Sequence, residues 1–63
     1  MKFKENDTVK VMKDCGNVVK RGDIGVVIMV FEKPNEAYEV EFIDKNGFIK
    51  AQNTFLPNEL ELA

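Results

Sequence analysis

Cys15, Lys20, Arg21, Glu39 and Glu41 are the residues whose types and spacing bear most directly on chemistry. The chain has no histidine, no tryptophan and no serine. Acyl transfer needs a nucleophile beside a base that titrates near neutrality, and here Cys15 would have no imidazole to activate it. It sits beside Gly16 with Lys13 nearby, and a redox role would require a reactive thiolate. The simpler expectation for a single unpaired cysteine is an inert thiol on or just under a loop. Glu39 and Glu41 lie two apart in an alternating stretch, so both point to the same side, into solvent, with no cleft for acid–base work. One cysteine and no histidine exclude a zinc site within one chain, and "DKNG" lacks the spaced oxygen ligands of a calcium loop. No catalytic activity and no cofactor are expected.

Lys20 and Arg21, in "VVKRGD", place two positive charges on a loop, too few for strong phosphate binding alone. Net charge is −2, with residues 1–33 carrying +2 and residues 34–63 carrying −4. An acidic chain with a sequence pI near 5.0 is a poor general ligand for nucleic acid. Sixty-three residues, 44% hydrophobic and 32% charged, describe one globular domain over 1–63 near the lower size limit for folding without disulfides or metals. The opening "MKFKEND" is charged rather than apolar, so no signal peptide is expected, and the longest apolar run is far too short to span a bilayer. A cytoplasmic protein is the expected setting.

The elements that must position these side chains are strands. "DTVKVMK" alternates Val9 and Val11 against Thr8, Lys10 and Met12, predicting a first strand over about 7–13. "DCGNVVKRGDIG" reads as a long loop partly packed through Val18 and Val19. "GVVIMVF" is a second strand with Val26, Ile28 and Val30 on one face and Val27, Met29 and Phe31 on the other. "KPNEA" is a turn. In "YEVEFID", Tyr38, Val40 and Phe42 face one way, Glu39 and Glu41 the other. Asn46-Gly47 suits a tight hairpin. In the returning "FIKAQN", Phe48, Lys50 and Gln52 oppose Ile49, Ala51 and Asn53. Pro57 starts one helical turn, and a short strand through Leu60 and Leu62, with Glu61 outward, completes five. The predicted fold is all-β: a small five-stranded SH3-like barrel with a long first loop and a helical turn before the last strand.

"GDIGVVIMVFEKPNEAYEVEFIDKNG" followed by "FLPNELEL" resembles a family of short bacterial domains of unknown function. The resemblance runs from Asp7 to Leu62. It implies an SH3-like fold and no established chemistry. Similar small barrels occur in nitrile hydratase β subunits and the variable chain of ferredoxin–thioredoxin reductase, where they dock or support larger proteins. Strand two often bends at a bulge in such folds, which would turn Val27 and Val30 inward together. A weaker similarity, through Gly22, Gly25 and Val27, runs to the KOW motif of ribosomal and transcription-elongation proteins. It implies a nucleic-acid module using Lys10, Lys13, Lys20 and Arg21, although basic, aromatic RNA-contacting loops do not stand out.

Strand two is apolar on both faces, and something should cover the second. Either the long loop or the segment holding Phe3 folds over it, or Met29 and Phe31 stay partly exposed beside Glu39 and Glu41 for a partner. Proline-rich peptide recognition needs an aromatic groove, and Tyr38 is the only tyrosine. The expected role is protein binding through a barrel face and a strand edge, as an accessory, inhibitor, immunity-type or docking protein. Met29, Phe31, Glu39, Glu41, Lys20 and Arg21 are its candidate contacts, on a monomer or weak homodimer.

Overall fold

Alternating apolar residues pair into strands wherever a turn residue lets the chain reverse. The computed structural model describes residues 2–63, with β1 (Thr8–Val11), β2 (Ile24–Phe31), β3 (Ala37–Ile43), β4 (Ile49–Phe55), a 3-10 turn (Pro57–Glu59) and β5 (Leu60–Leu62). All five strands join one antiparallel sheet in the order β4-β3-β2-β1-β5. The fold is therefore all-β, as the alternation predicts. The sheet is not closed: β4 and β5 are its two edges. Among the described residues no helix is long and apolar enough to cross a membrane.

One core serves the whole sheet. Val9 and Val11 of β1, Val27 of β2, Tyr38, Val40 and Phe42 of β3, Phe55 of β4 and Leu60 of β5 are buried together with Phe3 and Val19. The ring of Phe3 meets Tyr38 edge-on at 5.1 Å, and Phe42 meets Phe55 at 6.0 Å. Side chains from both edge strands reach the same cluster, so the sheet must coil about it.

β2 corrects the simple alternation. Its register with β3 shifts between Val27, opposite Val40, and Met29, opposite Glu39, which leaves Ile28 as an extra residue. A bulge of this kind turns two successive side chains to one side. Ile28 and Met29 are both exposed, Val27 is buried and Val30 packs partly against the core. The inward pair Val27 and Val30 matches the bent strand that the family resemblance implies. The expected grouping of Ile28 with Val30, and of Val27 with Met29, does not occur.

β4 shows the same effect. A register shift leaves Lys50 unopposed, so Ile49 pairs with Ile43 and is exposed rather than sharing the inward side with Ala51. β1 is shorter than predicted, and β4 runs on to Phe55, which fills the core. Leu62 of β5 is exposed because only the start of that edge strand faces the core.

The long loop between β1 and β2 folds on itself. Cys15 and Val19 form an isolated bridge, their N–H···O bond spanning 2.8 Å. The Asp14 carboxylate accepts the Arg21 N–H, and the Asp23 carboxylate the Lys20 N–H. Val19 drops into the main core while Val18 stays exposed. The loop does not build a second core over the outer face of β2, and Phe3 joins the central cluster instead.

Candidate interaction surface

Register defines the outer face. Directly opposed residues of antiparallel strands share a side. Val26 opposes Glu41, Met29 opposes Glu39 and Phe31 opposes Ala37, while Gln52 and Thr54 of β4 oppose Glu41 and Glu39. On the other flank, Thr8 and Lys10 of β1 oppose Val26 and Ile24. Ile24, Val26, Ile28, Met29 and Phe31 thus form an apolar ridge along the whole of β2. Met29 is 49% exposed and Phe31 37%.

The flanks are polar and held in place. Thr54 donates its hydroxyl to Glu39 at 2.7 Å, and Gln52 donates its amide to Glu41 at 3.2 Å. These bonds hold two carboxylates beside the ridge. At the far end Ile43 pairs with Ile49, and neighbouring Phe48 is 70% exposed. The hairpin there is stabilised by Asp44, whose carboxylate accepts the N–H groups of Asn46 and Phe48. Only Gly47 takes positive φ, so the turn is not the double left-handed form that Asn46-Gly47 suggests.

Met29, Phe31, Glu39 and Glu41 therefore share one surface. Lys20 and Arg21 sit on the β1–β2 loop, and among the described residues no hydrogen bond or ladder joins them to it. Ile24, Ile28, Ile43, Phe48 and Ile49 extend the apolar surface beyond what alternation alone reveals. Their signals were present in sequence: isoleucines bracket the hairpin turn, and a third lies just after Asp23. The basic set Lys10, Lys13, Lys20 and Arg21 is broken up. Lys10 pairs with Glu61 at 3.3 Å, and Lys13 pairs with Glu59. The Lys13 bond holds Glu59 below the usual carboxylate range and raises Lys13 in turn.

Cys15 is half-buried, tied into the loop bridge and packed against the core. A concavity of about 510 Å³ is lined by Asn35, Glu36, Leu56, Pro57 and Asn58. Beside it the Tyr38 hydroxyl donates to Glu36 and accepts the N–H groups of Lys2 and Phe3 at 3.0 and 3.1 Å. The phenol bond draws Glu36 below its ordinary value, while burial, and then the carboxylate, raise Tyr38. This is a structural anchor for the segment carrying Phe3. Among the described residues no group of three or more histidine, cysteine or acidic side chains is arranged to hold a metal ion.

The profile of a domain of unknown function, DUF4926, matches residues 5–62. The chain belongs to this family. No curated protein and no solved structure matches it. In this DUF4926 domain the matched stretch takes in all five strands, so the ridge and its acidic flank lie within the family's unit. Phe3, although central to the core, lies outside it.

Proposed function

We propose that this DUF4926 domain is a non-catalytic, cytoplasmic docking or inhibitor-type protein, built as a partly open SH3-like barrel, that binds another protein through the outer face of β2. The coiling of both edge strands onto one core supports the barrel reading. A single observation carries the function: an unbroken row of apolar side chains along β2, exposed at Ile24, Ile28, Met29 and Phe31, beside fixed carboxylates. Complete burial of side chains of this kind is worth roughly 1.5–3 kcal/mol each, and about half of that remains to be gained here. Binding centres favour methionine and aromatic residues. With Glu39 and Glu41 on the flank, the fitting partner carries an apolar patch edged by lysine or arginine.

Affinity purification with mass spectrometry identifies the partner, and calorimetry on the purified pair measures it. Met29→Lys combined with Phe31→Glu weakens binding at least about thirtyfold, the ~2 kcal/mol of an interface hot spot. Far-ultraviolet circular dichroism stays native, because neither side chain belongs to the buried core. Undiminished binding by this variant would misplace the surface. Tight RNA or DNA binding at low salt that collapses as salt rises would instead favour a KOW-like module using Lys10, Lys13, Lys20 and Arg21.

A further inference from the structure

We infer that β4 is a self-pairing edge, and that two copies of the chain join their β4 strands antiparallel about a two-fold axis. This goes beyond the ridge and does not depend on it. The two edges of the sheet differ sharply. β5 has three residues, carries Glu61 in ion pairing with Lys10, and is tied down by the Ala63 N–H on the Thr8 carbonyl. Shortness and charge are the usual means of blunting an edge. β4 has seven residues, and from Ala51 to Phe55 it contains no charge, no proline and no register shift. Among the described residues, no backbone group of 49–55 is bonded outside the β3 ladder. Alternate residues of a strand direct their N–H and C=O groups to either side, so part of this segment offers unpaired groups away from β3.

A second copy of β4 is the complement that the molecule itself supplies. In a pairing centred on Asn53, Gln52 stands opposite Thr54 of the second copy and Ala51 opposite its Phe55. Uncharged side chains then meet throughout. Half-buried Ala51, which already packs on the core at the open side of the sheet, gains cover. Charge separates this arrangement from its rivals. Stacking ridge on ridge would bring the four carboxylates of Glu39 and Glu41 together. Edge pairing places the two β3 strands three strand spacings apart, about 14 Å, beyond the ~8 Å screening length at physiological salt. Head-to-tail pairing of β4 with β5 would use only three residues and confront Glu61.

Sedimentation equilibrium over a concentration series tests the inference, with Gln52→Lys plus Thr54→Lys as the decisive variant. Within one chain each new lysine faces Glu41 or Glu39, so the fold is kept; across the two-fold axis four lysines meet. The wild-type chain dimerises with a Kd tighter than about 1 mM, its β4 amides gaining exchange protection as concentration rises, and the double-lysine variant is monomeric. A wild-type chain monomeric at that concentration would overturn the inference. So would a dimer that survives the lysines, rings or filaments of higher order, or concentration-dependent protection confined to β5. A dimer lost in Met29→Lys/Phe31→Glu but kept in the double-lysine variant would move self-association to the ridge.

Discussion

At Tyr38 one side chain does three jobs. Its ring is buried against Phe3, and its hydroxyl both accepts two backbone N–H groups and donates to Glu36. Tyr38→Phe keeps the ring but strands the buried Phe3 N–H. An unsatisfied buried donor costs about 1–3 kcal/mol, and for a domain of this size the melting midpoint falls by roughly 4–8 °C per kcal/mol. Differential scanning calorimetry measures the loss, and amide exchange shows it centred on residues 2–3. Sequence made the candidate surface partly legible at this scale. The pattern around Tyr38 placed Glu39 and Glu41 on one side, and they are there. The bonds from Gln52 and Thr54 were not legible, because they depend on which β4 residue meets which β3 residue.

Among the elements, β2 shows what limits pattern reading. One extra residue at Ile28 reverses the faces of everything beyond it, and an all-apolar run carries no polar marker to reveal where the shift falls. β3 is the opposite case, since its glutamates mark the outer side at every second position. β2 is also where a glycine is required. A Cβ on Gly25 would lie 2.6 Å from Val40 Cγ1, 2.8 Å from Phe42 Cε1 and 2.9 Å from the Glu41 carbonyl oxygen. Gly25 opposes Val9 of β1 while lying against β3, so β2 bends over its neighbour at this point. Gly25→Ala forces apart two core side chains and a backbone group, and overpacking of this kind costs about 1–3 kcal/mol. Urea denaturation should show the midpoint falling with little change in slope.

The whole molecule has a pH window set by hydrogen-bonded carboxylates and by one phenol. Asp23 is lowered by the Lys20 N–H, Glu36 by the Tyr38 hydroxyl and Glu59 by Lys13. A group lowered on folding stabilises the native state above its unfolded value and ceases to do so as pH falls through its folded value. Stability should therefore decline as pH drops below the ordinary 4.5 of glutamate. Tyr38 is raised by burial, so its contribution is complete below the ordinary 10.0 and is lost as pH rises through its folded value. Thermal melts across pH should show a plateau between these limits, and Glu59→Gln should flatten its acid shoulder. The five strands were legible in outline from short apolar and alternating stretches bounded by turn residues; their order in the sheet came from the structure. Closure was not, because it depends on how far a continuous backbone coils, which side-chain pattern does not encode. The chain holds one tyrosine and no tryptophan, and that tyrosine is the buried phenol bonded to Glu36. All its ultraviolet emission above the phenylalanine band therefore comes from a single chromophore at the junction of β3 and the amino-terminal segment, a built-in optical gauge of whether that junction is closed.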